Sequence, residues 1–251
     1  MRPRLRALLA MACWASLQAQ AGEPREDAAR LAILAERVGK LHAQAIEGIA
    51  PDRARRALQS ATRSFDTTLA DASARPPAAL REHYALLRLL WRDYRAWLAR
   101  PAGRDAARNQ VDRDDELNYL VMKGLGASGP LEPPRESLAR AARMSQRVAR
   151  LALLRRDVPT ASLAGEEQAA LADLREALEM LAGATASDAA VAAEVQVAQN
   201  QWPFLAQALE ANAPRTARAL DLAARSADHI LEALERALAR GAAGPTAAPS
   251  R

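Results

Sequence analysis

The sequence is poor in the residues that carry most enzyme chemistry. Its single cysteine, Cys13, excludes a disulfide within one chain and any paired-thiolate metal site. The three histidines, His42, His83 and His229, stand too far apart for a His-x3-His ligand pair. Glycine-rich phosphate loops and nucleophile elbows are missing, and Ser145 has no histidine partner fixed in sequence. Neither an enzyme nor a metal nor a cofactor is expected. Aromatic residues make up 4% of the chain and glycine is scarce, which argues against a sheet protein. What is abundant is Ala, Leu, Arg and Glu, the composition of long helices.

A long apolar run is also lacking. Residues 7–17 form a short apolar core behind Arg2, Arg4 and Arg6 and ahead of Ala19-Gln-Ala21. That is the pattern of a cleavable export signal over residues 1–21, too short to cross a bilayer. Cys13 as a lipoprotein anchor is the rival reading, with Ala10-Met-Ala12 as a poor lipobox before it. No later stretch reaches 18 uncharged apolar residues, so the mature chain is expected to hold no transmembrane segment and to reside in the periplasm. Removing Arg2, Arg4 and Arg6 lowers the formal charge from +5 to +2, and nucleic acid is not an expected partner.

After Ala21 the helical period is almost continuous, broken at prolines. A first helix is expected over residues 26–50 and a second from Pro51 to the Pro76-Pro77 pair. A third carries Tyr84, Trp91, Tyr94 and Trp97, which fit a packed core. A fourth bears the acidic run Asp112-Arg-Asp-Asp-Glu116, read as a solvated face. Residues 124–134, with three glycines and three prolines, read as a linker. Four more helices follow: residues 135–157, residues 163–181, one capped at Ser187-Asp188 and holding Pro203, where it should kink, and one opening at Pro214. Residues 241–251 read as a disordered tail.

The fifth helix has an unusual charge pattern. Arg140, Arg143, Arg147 and Arg150 are spaced +3, +4 and +3, so they share one face beside an apolar row of Ala141, Met144, Val148 and Leu151. Four like charges on one face repel, so the row must meet water, carboxylates or an anion. The bland outcome is neutralisation at the surface by Glu132, Glu136, Glu166 and Glu167. The functional outcome uses the planar guanidinium to grip an oxyanion, with two copies of the helix meeting at a dimer axis.

A second copy of this helix lies 110 residues upstream, where Arg30, Arg37, Val38, Lys40 and Leu41 match Arg140, Arg147, Val148, Arg150 and Leu151. Ile33 stands opposite Arg143. Trp91 and Leu98 match Trp202 and Leu209 at an offset of 111. The chain is thus read as an internal duplication, residues 22–123 and 135–240. Each half carries four helices joined by short loops, which predicts an all-α fold of two tandem up-down four-helix bundles. One elongated bundle sharing its core across the linker is the alternative.

The run Ala139-Arg-Ala-Ala-Arg-Met-Ser-Gln-Arg-Val-Ala-Arg150 resembles the GRQRMLSQRMAK signature helix of the PilJ-type domain. That domain is the N-terminal sensor of type IV pilus methyl-accepting chemotaxis transducers, and a related helix occurs in nitrate/nitrite sensor kinases. Trp91-Arg-Asp-Tyr94, and less fully Trp202-Pro-Phe204, resemble the tryptophan element that follows the signature. Arg140, Ser145, Gln146 and Arg147 match signature positions, and Arg150 replaces a lysine. In the first copy Arg30, Arg37 and Lys40 match, while Ala35-Glu36 replaces Ser-Gln.

The resemblance implies an exported, helical, sensor-like module that takes a small anion such as nitrate or nitrite and is often dimeric. The expected ligand-binding residues are Arg140, Arg143, Ser145, Gln146, Arg147, Arg150, Arg30 and Arg37. Such a module would relay through a membrane transducer partner. The alternative is a degenerate periplasmic scaffold with no small ligand.

Overall fold

The computed structural model describes the backbone of residues 3–100, 105–210 and 213–242, and the side chains of residues 24–100, 105–210 and 213–241. Among them are eight α-helices and one 3-10 turn, Ala78–Leu80, with no strand. The helices are α1 (Pro3–Ile46), α2 (Pro51–Ala74), α3 (Arg81–Leu98), α4 (Ala106–Ser128), α5 (Arg135–Asp157), α6 (Ala161–Ala184), α7 (Ala189–Ala208) and α8 (Ala217–Ala242). No helix among the described residues is long and apolar enough to cross a membrane. The side chains of the leader expected over residues 1–21, and the part of the expected tail beyond Ala242, lie outside the described residues.

Local chemistry sets most helix ends. Gly48 (φ 68°) and Ala50 (φ 45°) turn the chain out of α1, and Pro51 opens α2, where no amide donor is needed. Thr160 accepts from the Leu163 amide at 3.2 Å to start α6. Asp188 accepts from the Ala190 and Val191 amides at 3.0 and 3.1 Å to start α7, the cap expected from sequence. Pro203 is accommodated inside α7.

Several expected boundaries move. α1 spans Pro3–Ile46 where a helix over residues 26–50 was expected. α8 opens at Ala217 and not at Pro214, because the Thr216 hydroxyl caps it by accepting from the Ala219 amide at 3.1 Å. α4 continues through Gly124 and Gly126 to Ser128, so the break between the halves is residues 129–134. At Gly124 a β-carbon would meet the His83 ring at 2.5 Å, so this glycine is a packing position in a helix and not a linker residue.

Contacts close two rings. α1 packs on α2 and α4, and α3 bridges α2 to α4; α5 packs on α6 and α8, and α7 bridges α6 to α8. The rings meet where α1 packs on α5, the two copies of the duplicated helix. Each ring has its own apolar core. The first is built on Leu31, Leu34, Val38, Phe65, Leu69, Tyr84, Trp91 and Leu117. The second is built on Val148, Leu151, Leu174, Leu178, Val195, Leu220, Ile230 and Leu234. α1 serves both, since Ala29, Ile33 and Ala43 face the second core. Residues 138–154 of α5 are buried apart from the half-buried Arg140, Arg143 and Arg147, as befits a helix packed on three sides.

Trp91 anchors the first ring: its ring stacks on Phe65 at 3.9 Å and its indole N–H donates to Asp66 at 2.7 Å. Its matched residue Trp202 is only half-buried against the second core.

Candidate functional site

The duplicated helix brings its cations to the junction of the two rings, and most of them meet carboxylates of the same chain. Arg150 is 1% exposed and lies between two buried acids: its Nε donates to Glu36 at 2.8 Å and its Nη1 to Asp114 at 3.1 Å. Burial works against its charge, but Glu36 and Asp114 more than offset that and raise its pKa. Arg147 reaches the other Glu36 oxygen at 3.4 Å and Glu166 at 3.1 Å. Arg140, at the rim, pairs with Asp173 at 3.4 Å and Glu176 at 3.7 Å. Arg143 forms no ion pair among the described residues, and burial lowers its pKa, with Arg147 and Arg140 adding to the effect.

Of the acids expected to neutralise the row, only Glu166 does so. Glu167 is drawn instead to Arg155 at the end of α5 and Arg215 ahead of α8, and the main counter-charges come from α1, α4 and α6. The acidic run of α4 is also not wholly solvated. Asp114 is buried, accepts from the Tyr94 hydroxyl at 2.5 Å and from Gln110 at 3.1 Å, and receives Arg150. Gln110 in turn donates to the Gly39 carbonyl at 2.6 Å and faces His42 Nδ1 at 3.1 Å. Burial drops the His42 pKa to about 4, so this imidazole is neutral at ordinary pH and shares the network as a hydrogen-bonding ring.

The same logic recurs in the first copy with its partners exchanged. Lys40, matched to Arg150, is fully buried and ion-pairs with Asp228 of α8. Burial lowers its pKa and Asp228 opposes the shift. Arg150 of the second half thus reaches α4 of the first, while Lys40 of the first reaches α8 of the second. Ser145 and Gln146 are buried; Ser145 donates to the Ala142 carbonyl at 2.8 Å and Gln146 to the Ala227 carbonyl at 2.9 Å.

Two grooves flank the α1–α5 contact and share Ala29, Leu131 and Ala139. The larger, about 560 Å³, is lined by Arg30 and Arg37 of α1, Arg135 of α5 and Glu235 and Leu238 of α8. The smaller, about 290 Å³, is its counterpart under the duplication, with Arg140 and Arg143 of α5 and Met122 and Leu125 of α4. In the larger groove Arg37 lies 3.8 Å from Glu235, and its Nε is buried with no hydrogen-bond partner. Arg30 is exposed, and its charge joins that of Arg37 in opposing the burial that raises the Glu235 pKa.

The expected site residues therefore divide. Arg147 and Arg150 join Glu36 and Asp114 inside the junction, Ser145 and Gln146 serve backbone carbonyls, and Arg30, Arg37, Arg140 and Arg143 line grooves. Sequence reasoning missed Asp114, Gln110, Arg135 and Glu235. Only Glu36 had a visible signal, as the charged residue facing Gln146 across the duplication. No group of three His, Cys, Asp or Glu able to hold a metal occurs among the described residues.

Comparison of the chain with family models, curated proteins and solved structures finds no match.

Proposed function

We propose that this chain is an exported, non-catalytic binding module of sensory type that takes an anionic ligand at the junction of its two rings and relays occupancy to a partner. One observation carries the reading: the two duplicated helices pack on each other, and a groove of about 560 Å³ beside their contact holds guanidinium groups that the chain leaves partly unpaired. That volume is in the range of small-molecule sites. The resemblance of both helices to the PilJ-type signature points the same way. A ligand touching α1, α5 and α8 at once would bias how the rings sit against each other, the two-state element a relay requires.

The test is a thermal-shift screen of the purified chain against nitrate, nitrite, sulfate, phosphate and small carboxylates. A specific ligand at 100 times its dissociation constant adds about 2.7 kcal/mol and shifts the melting point visibly. If no anion raises it, the binding-module reading is wrong.

A scaffold without a small ligand is the second reading. It is favoured by the counter-charges at Arg147 and Arg150, where the Glu36 carboxylate already occupies the place an anion would take. Recovery of a protein partner, with no response to any anion, is its expected result.

A further inference from the structure

The fuller signature lies in α5, yet the open chemistry lies beside α1. Arg147 and Arg150 are closed by Glu36 and Asp114, and Arg140 is held by Asp173 and Glu176. The groove along α1 is different. It has three cations, Arg30, Arg37 and Arg135, against two acids, Glu26 and Glu235. Arg135 is closed by Glu26 at 2.7 Å. Arg37 keeps only the loose contact to Glu235 and an unspent buried donor, and Arg30 is exposed at the rim, where its charge reaches Glu235. The excess is one positive charge.

Apart from Ser64 of α2, the remaining wall is apolar, with Ile33 and Leu34 of α1, Leu131 between the halves and Leu238 of α8. A bare oxyanion would fill little of about 560 Å³, since even a water takes only ~30 Å³. It would leave the Leu131 and Leu238 surfaces wet. A dianion would meet repulsion from Glu235 and Glu26 after its first charge was matched. A planar carboxylate suits the fork of a guanidinium, and an apolar body suits the leucine wall.

We infer that the groove between α1, α5 and α8 binds a monoanionic carboxylate with an apolar body, its carboxylate on Arg30 and Arg37 and its body against Leu131 and Leu238. This rests on the binding-module reading and gives its ligand a class. The acid is an aliphatic or aromatic one, and the site is in the first copy of the helix.

Calorimetric titration of the purified chain with hexanoate tests it, with hexan-1-ol, nitrate and phosphate titrated in parallel. Hexanoate is expected to bind one to one and much more tightly than the other three. The Arg30→Ala/Arg37→Ala variant should weaken hexanoate at least tenfold. Leu238→Trp fills the groove without touching an ion pair and should abolish binding while leaving the far-UV circular dichroism unchanged. Arg143→Ala, in the smaller groove, should leave hexanoate affinity unchanged. The inference falls if hexanol binds as well as hexanoate, or if Leu238→Trp and Arg30→Ala/Arg37→Ala bind hexanoate as the parent does. Binding of nitrate or phosphate without hexanoate overturns the carboxylate class and leaves the anion-binding reading standing. Binding of none of them, here and in the anion screen, removes both.

Discussion

Glu36 puts a carboxylate where the second copy of the helix has the amide of Gln146, and that single exchange decides the electrostatics of the junction. Its two oxygens hold Arg150 at 2.8 Å and Arg147 at 3.4 Å. Taking it away leaves a fully buried guanidinium with Asp114 alone, and breaking a buried pair from one side costs about 3–5 kcal/mol. Glu36→Ala is therefore expected to lose that much stability in urea unfolding, and formate, small enough for the vacated space, should restore part of it. A loss below about 1 kcal/mol would show that the pair contributes little beyond its own desolvation.

Gly39 belongs to the same cluster. A β-carbon there would meet Arg150 Cδ at 2.7 Å and Asp114 Oδ2 at 2.8 Å, both pinned by the ion pair. Alanine gains roughly 1 kcal/mol of helix propensity, but overpacking costs about 1–3 kcal/mol. Gly39→Ala should come out destabilised by denaturant midpoint, and a raised midpoint would mean the network yields freely. At this scale the sequence was partly legible. Helical spacing put the four arginines on one face, and the 110-residue offset set Glu36 against Gln146. It could not reveal Asp114, because an acid inside an acidic run carries no mark of burial; only the packing of α4 against α1, α3 and α5 sets it apart.

At the scale of elements, the ends of α1 and α5 meet through carboxyl groups. Glu47, in the turn after α1, has its side chain buried, lies beside the Asp157 carboxyl at the end of α5 and ion-pairs with Arg156 at 3.4 Å. Burial first, then the neighbouring Asp157 carboxyl, lift its pKa to about 7 against the opposing pull of Arg156. The folded state thus holds this proton more tightly than the unfolded chain does. The stabilisation is present below the unfolded value near 4.5 and is lost as pH rises towards 7. Glu47→Gln, which fixes the protonated form, should melt above the parent at pH 8, with the gap closing as pH falls towards 4.5. A gap of the same size at both pH values would mean that Glu47 does not titrate in this interval. The helices themselves were readable because α2, α3 and α8 have strong apolar periods and most of the helices have a proline, glycine or cap near an edge. α4 was cut short in sequence because Gly124 and Gly126 look like breakers. At Gly124 the reason is spatial, since His83 lies over it and leaves no room for a β-carbon, whereas Gly126 faces open space.

For the whole molecule, the duplication foretold two rings, but how they join follows from residues far apart in sequence. The helix pair that symmetry suggested for a dimer axis forms inside one chain, α1 on α5. Ion pairs run between the rings in both directions: Lys40 and Arg37 of α1 to Asp228 and Glu235 of α8, Arg150 and Arg147 of α5 to Glu36, and Arg156 to Glu47. Lys40 is buried only because the other ring supplies Asp228, and Arg150 only because the first ring supplies Glu36 and Asp114. Either ring alone would expose or orphan a charge that the pair satisfies, at a cost of several kcal/mol. Ile33 and Ala29 of α1, packed into the second core, add an apolar share to the same contact. The rings should therefore unfold together as one cooperative unit. Once the expected leader, which holds Trp14, is removed, tryptophan fluorescence can separate the halves, because Trp91 and Trp97 report on the first ring and Trp202 on the second. In Trp202→Phe, urea transitions followed by the first-ring fluorescence and by circular dichroism at 222 nm (which sums over both rings) should share one midpoint. Glu36→Ala should shift the two curves together. Two separate transitions in the parent background would mean that the junction is a loose contact between independent bundles. The groove beside α1 would then lack the fixed α8 wall that its ligand needs.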